Sequence, residues 1–369
     1  MANGNHHLNA SERNAQARRF VTAWLSKAQK FQPKSNHETV FAKELAILKK
    51  LIPISAMGFR GVVLTVIVGK HLDPTFNPLK NFYDCSPRSI FEKGIYYALQ
   101  DAKIPCGKSD PLNVAKNIQV LDDNWATGRK PESAARAAVE YLRTLESAYN
   151  APKKYNRLIL LFFHELLEYG KFVNAHNAPA TDSSVPIPLQ QAKLLANFSV
   201  ECPEGGTIPQ YIVGQLISHF REHDDRIKSI CGFEESVFGT NTTAKKPADV
   251  WEVLTSSELG NLYEITVKII DYKRLDDCID SLRQQNIASR TITFICNLPQ
   301  DIAALGLKEN FLSYNGIGFQ FLDIRQFICA MYCMLSVEQQ KKLMESIQTF
   351  IFDHNRPIKT KKYWQKHFA

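Results

Sequence analysis

No stretch of the 369-residue sequence reaches about 18 consecutive apolar residues, which excludes a membrane-spanning helix. The apolar run Gly61-Val-Val-Leu-Thr-Val-Ile-Val68 is too short to span. The opening residues, Met1-Ala-Asn-Gly-Asn-His-His7, carry no apolar core of a secretory leader, so the expected location is the cytoplasm, with no membrane partner. Eight cysteines (85, 106, 202, 231, 278, 296, 329, 333) contain no CxxC pair. In a reducing compartment they read as small buried hydrophobes, not as a disulfide or zinc framework. There is also no Gly-x-Ser-x-Gly elbow, no catalytic-cysteine signature and no internal repeat. Gly107-Lys-Ser109 echoes the end of a P-loop, but Ala102 stands where the first glycine is required and no strand precedes it.

What is present describes a globular chain of two domains. Hydrophobic residues make up 44% and charged residues 22%, enough apolar matter for a core and too little charge for disorder. The net charge of +8 permits an anionic partner without requiring one. Half of that excess sits in the last 17 residues, where Arg356, Lys359, Lys361, Lys362 and Lys366 face only Asp353. Tyr363, Trp364 and Phe368 lie between those cations, a mixture suited to phosphate contact and base stacking, or simply to a solvated basic tail.

The two halves differ in pattern. Residues 1–200 read as mainly helical. The expected segments are Ser11 (as N-cap) to Lys30, Glu38 to Leu51, 131–149 behind an N-terminal proline, and Arg157 to Val173. Breaks at Asn177–Pro188 and Cys202–Gly206 bracket the domain boundary. Residues 201–369 mix α and β. A helix is expected from Ile208 to Ile230, then a loop (Gly239 to Pro247), strands Asp249–Leu254 and Leu262–Ile270, and a helix Lys273–Gln285. A strand Thr291–Cys296 and a last helix, Val337–Phe352, complete the order.

The second of these strands alternates. Glu264, Thr266 and Lys268 share one face, opposite Tyr263, Ile265, Val267 and Ile269. Asp249 and Glu252, an odd number apart, point to opposite faces of the preceding strand, so only one of them can join Glu264. Two carboxylates and an ammonium suit phosphodiester hydrolysis. Asp249 and Glu264 would hold Mg²⁺, which prefers oxygen ligands, and Lys268 would serve the water side. A surface hairpin carrying a cross-strand acid–base pairing is the plainer reading of the same residues.

The element order, with Pro-Ala-Asp249 followed by Glu264-x-Thr266-x-Lys268, resembles the PD-(D/E)xK nuclease core, a central mixed sheet flanked by helices. In the first half, Ser86-Pro-Arg-Ser-Ile90 and Gly107-Lys-Ser-Asp-Pro-Leu-Asn113 resemble segments of the SacI family of type II restriction endonucleases. The resemblance implies a Mg²⁺-dependent, sequence-specific double-strand DNA endonuclease acting as a homodimer, alongside a cognate DNA methyltransferase that acts on the same site. It makes residues 1–200 a dimerisation and recognition region and 201–369 the nuclease domain. Arg88, Lys108, Asn113, Lys361 and Lys362 are then candidate DNA contacts, each of the first three serving equally well as a turn or cap residue. In the superfamily the lysine follows the glutamate by two residues, where this chain has Thr266; Lys268 lies about 7 Å further along an extended strand. Either Lys268 replaces the usual lysine, the site works without it, or the domain is a catalytically inactive DNA-binding protein. His219-Phe-Arg-Glu222-His223 matches a zinc-hydrolase pattern that needs a third ligand, for which Glu234, Glu235 and Glu252 are available. In a nuclease, Glu222 would instead be an extra acid near the metal. His164-Glu-Leu-Leu-Glu168 lacks the second histidine of HExxH and lies in an apolar helix.

Overall fold

The computed structural model describes residues 9–32, 40–176, 187–234, 246–288 and 291–368. It divides into two compact units, Met1–Asn177 with Asp353–Ile358, and Ala178–Phe352 with Lys359–Ala369. The polar stretch 177–186 and most of the expected loop 239–247 lie outside the described residues.

In the first unit the longer helices are α1 (Ala10–Lys30), α2 (Ala42–Leu51), α3 (Gly58–Leu72), α4 (Glu132–Ala148) and α5 (Pro152–Asn174). The cap of helix α1, Asn9, lies two residues before the expected Ser11. Asn9 accepts the Glu12 N–H at 2.9 Å and its own N–H donates to the Glu12 carboxylate at 3.1 Å, a reciprocal box that Ser11 cannot build. The Gly61–Val68 run forms the middle of α3 and is buried throughout, so it is the core helix around which α1, α4 and the short helix Asp110–Ala115 pack. Between α3 and α4 the chain makes only short helices, among them a continuous helical stretch Pro87–Asp101 whose middle turn, Phe91–Ile95, is π.

The second unit is a mixed α/β layer structure. Its elements run α6 (Pro188–Glu201), α7 (Thr207–Arg221), β1 (Ile227–Cys231), β2 (Val250–Leu254), β3 (Leu259–Ile265), α8 (Tyr272–Gln284), β4 (Thr291–Cys296), β5 (Phe311–Tyr314), β6 (Ile317–Asp323), α9 (Ile324–Met334), α10 (Val337–Ile351) and α11 (Ile358–Phe368). A division at residue 200 would place α6 with the first half; it packs in the second unit, on α9. The six strands form one sheet in the order β1-β2-β3-β4-β6-β5. β1, β2 and β3 are antiparallel, β3–β4 and β4–β6 parallel, and β5–β6 antiparallel. One face carries Val250, Ile265 and Ile295 into a core with α6, α7, α9 and α10. The other carries Leu262, Ile292, Phe294 and Phe319 against α8. Both faces are therefore covered, in keeping with a mixed sheet flanked by helices.

Several elements differ from the sequence expectation. The helix from Ile208 stops at Arg221, because Asp224 takes the Arg226 N–H (3.2 Å) and side chain (2.9 Å) into a turn, and Ile227–Cys231 then pairs with β2 as an edge strand. The β5–β6 hairpin was not anticipated, although Asn315-Gly316 carries the signal: both residues have positive φ (48° and 82°), as the two-residue turn joining twisted strands requires. Helix α9, capped by Asp323, follows directly.

The basic C-terminal segment is α11, and it is a packed helix. Trp364 is 2% exposed, stacked on Phe368 (3.9 Å between centroids) and edge-on to Phe198 of α6. The Tyr363 hydroxyl donates to Glu201 at 2.6 Å, and Thr360 hydrogen-bonds to Glu204. Lys361 is buried, at 1% exposure. An exposed stacking platform is therefore corrected to core aromatics, and of the two candidate DNA contacts Lys361 and Lys362 only Lys362 faces solvent.

Candidate active site

Asp249 ends the loop that enters β2, and Glu264 is the penultimate residue of β3. Antiparallel pairing of Val250 with Tyr263 sets them side by side. The Asp249 Oδ2 accepts the N–H of Ile265 at 3.0 Å, which ties its carboxylate to the end of β3. Both carboxylates then meet a single cation. Arg274, in the first turn of α8, places Nη2 at 2.7 Å from Glu264 Oε2 and 3.8 Å from Asp249 Oδ2. Asp271 caps that helix by accepting the Arg274 N–H at 2.9 Å, fixing the base of the arginine.

Burial separates the two acids. The Glu264 side chain is 1% exposed and that of Asp249 is 16%. Burial raises the pKa of Asp249, against the opposing pulls of Arg274, the Ile265 N–H and Lys246. The Arg274 guanidinium is held further above its ordinary value, first by Glu264. Cys278, one turn along α8, is pushed well up by burial, so it is a packed thiol and not a nucleophile.

A cavity of about 150 Å³ opens beside this pair. Asp249, Arg274 and Thr266 line it, together with Gln210 from the first turn of α7 and Gly205-Gly206 before it. Lys268 lines it too, but from a different position than expected. Strand β3 ends at Ile265; the Thr266 hydroxyl accepts the Lys268 N–H at 3.1 Å, folding 266–268 into a turn. Lys268 is thus an exposed loop residue, no longer in strand alternation with Glu264, and Ile269 is 73% exposed instead of sharing the buried face.

The remaining acids lie elsewhere. Glu252, on the opposite face of β2, is 2% exposed and fully engaged: it accepts from Arg221 (3.1 Å), Tyr263 OH (3.1 Å), and the backbone (3.1 Å) and side-chain (2.9 Å) nitrogens of Asn261. It is a structural hub. Glu222 caps the C-terminus of α7, whereas Gln210 marks the cavity end of the same helix; the step of 12 positions from one to the other spans roughly 18 Å, so Glu222 is not an extra acid at this site. His223 lies beyond the end of α7 and is exposed, and His219 Nδ1 is 3.8 Å from Glu222. Among the described residues no three His, Cys, Asp or Glu side chains gather as a metal cluster, there or elsewhere. Glu235 lies outside the described residues, and Glu234 is exposed.

In the first unit the two motif segments meet at Glu92. Arg88 lies 3.8 Å from its carboxylate, and the Ser109 hydroxyl donates to it at 2.8 Å. Arg88, Lys108 and Asn113 are all exposed around that junction. Gln210, Lys246 and Arg274 are the site neighbours that sequence reasoning missed. Arg274 lies ten residues beyond Glu264, behind an Asp cap, and no local spacing rule marks that contact. No protein-family model and no curated protein matches this chain.

Proposed function

We propose that this chain is a Mg²⁺-dependent double-strand DNA endonuclease of the PD-(D/E)xK kind, a type II restriction enzyme that cuts a short palindromic site as a homodimer. The observation that carries the reading is the convergence of Asp249 and Glu264, from adjacent strands, on one cation beside a cavity that Lys268 also lines. The order α7, β1, β2, β3, α8, β4, with the carboxylates at the start of β2 and end of β3, supports it. In this reading the first unit supplies dimerisation and recognition, with Arg88, Lys108 and Asn113 as DNA contacts.

The donor set suits a hard divalent ion: two carboxylates that already satisfy one cation between them, beside a small polar cavity. Asp249 and Glu264 would hold it, and when bound it would supply charge neutralisation on the phosphate and a more acidic water. The Ile265 N–H fixes the Asp249 carboxylate, and before an ion binds Arg274 holds that of Glu264. Lys268, on its turn, brings a cation to the phosphate without a fixed hydrogen bond to either acid.

One second reading has its own support. Thr266 in the usual lysine position and Arg274 on the carboxylates favour a DNA-binding protein without cleavage. Supercoiled plasmid and phage DNA incubated with the purified protein in Mg²⁺ or EDTA separate the two. Cutting in Mg²⁺ alone, with ends that share one short palindrome on sequencing, is the expected result. Binding without cutting in both conditions would establish the second reading.

A further inference from the structure

We propose that Arg274 is the resident counter-cation of the Asp249–Glu264 pair and must leave it for a divalent cation to bind; the inference rests on the metal-site reading above. The geometry is competitive. Arg274 Nη2 lies 2.7 Å from Glu264 Oε2, and a divalent ion coordinated to that oxygen at roughly 2.1 Å would occupy the space the guanidinium fills. Charge points the same way. Two carboxylates balance a divalent ion; adding the guanidinium would set like charges side by side in a site where Glu264 is 1% exposed and screening is weak.

The fold also gives the arginine somewhere to go. Its backbone is anchored by the Asp271 cap, yet its side chain is 37% exposed and lines the cavity that opens beside Asp249. Rotation of the long side chain toward that opening would release both acids without moving α8. The released guanidinium would then face the same cavity as Lys268, where a phosphate would be received. The pair thus alternates between two cations, one built in and one from solution.

Isothermal titration of the full-length, EDTA-treated protein with Mn²⁺ tests this. Arg274→Gln should bind Mn²⁺ at least tenfold more tightly than the wild type, with Asp249→Asn binding it weakly or not at all. The melting temperature should rise more on adding Mn²⁺ in the Gln variant than in the wild type. Should Arg274→Gln fail to fold, Arg274→Lys, which keeps a charge but loses the planar fork, should show a smaller gain in the same direction. Equal or weaker Mn²⁺ binding in the variants overturns the competition while leaving a metal-dependent nuclease in place. Absence of saturable binding in every variant overturns both. Tighter Mn²⁺ binding by the variant in a protein that cuts no DNA supports the competition and overturns only the nuclease reading.

Discussion

Asp249 accepts the backbone N–H of Ile265 at 3.0 Å, so the residue just before β2 is locked to the one that closes β3. That bond commits Oδ2 to structure, while the carboxylate still lines the cavity beside Arg274. Asp249→Asn keeps an acceptor for the Ile265 N–H while removing the charge. Because burial already raises the Asp249 pKa, the neutral amide should not lower the melting temperature. Mg²⁺-dependent plasmid cleavage should nonetheless fall by at least about a hundredfold, the scale of a lost charge-stabilising group. Binding to the same DNA in EDTA, measured by fluorescence anisotropy, should persist. Full cleavage by this variant would remove Asp249 from the mechanism.

Asp110 provides a pH dependence in the first unit. Its side chain is 5% exposed, and burial pushes its pKa up to about 6, against the Gly107 N–H (2.7 Å) and the nearby Arg60 charge. A raised carboxyl pKa means that the folded state holds its proton more tightly than the unfolded chain. Stability is therefore greatest below the ordinary carboxylate range and declines as pH rises from about 4 through about 6, by about 3 kcal/mol once ionised. Asp110→Asn removes that cost and still accepts from Gly107. Its melting temperature should exceed the wild type's by several degrees at pH 8 and match it near pH 4. A variant less stable at both values would mean that the ionised carboxylate stabilises the fold.

Trp364 and Lys362 separate packing from electrostatics in α11. Trp364→Ala deletes a ring that is 2% exposed between Phe198 and Phe368, and should cost about 3–5 kcal/mol in chemical denaturation. Lys362→Ala changes an exposed cation and should leave stability unaltered. If Lys362 meets a phosphate, its loss lowers the slope of log affinity against log salt by about one. A stable Trp364→Ala protein with weakened DNA binding would restore the stacking role that burial argues against.

How legible each element was depended on whether its cause was local. Thr291–Cys296 and the helix behind Pro131 were read directly, because an unbroken β-branched and aromatic run, and an amphipathic Ala-rich period, carry their own signal. The Asp249–Glu264 pairing was legible through strand parity, which also placed Glu252 on the other face. Strand β1 was not, since Ile227–Cys231 continues the apolar spacing of the preceding helix and only the Asp224 turn and the pairing with β2 separate them. The end of β3 was missed for a similar reason. Alternation runs on to Ile269 in sequence, but the Thr266 hydroxyl captures the Lys268 N–H and bends the chain. Lys361 and Trp364 read as tail residues because charge density is visible in sequence, whereas their burial, for Trp364 against Phe198 of α6, is tertiary.

Gly232 offers a way to disturb the site without touching a charged group. It follows β1 with φ of +94°, and a Cβ there would lie 2.3 Å from the Asp249 carbonyl oxygen and 2.5 Å from the Trp251 ring. Its own carbonyl accepts the Gln210 amide at 2.8 Å, so it bridges α7 to the strand that presents Asp249. Gly232→Ala therefore adds backbone strain and a contact that only movement of the Asp249 main chain can relieve. The expected loss of stability is about 2 kcal/mol or more. Gly316→Ala is the matched control, with φ of +82° and open space around the added carbon, so it isolates the strain from the crowding. At a temperature where both variants remain folded by circular dichroism, Gly232→Ala should cut far more slowly than Gly316→Ala. Equal rates would show that the position of the Asp249 backbone does not limit the reaction, and that the carboxylate reaches its place by side-chain rotation alone.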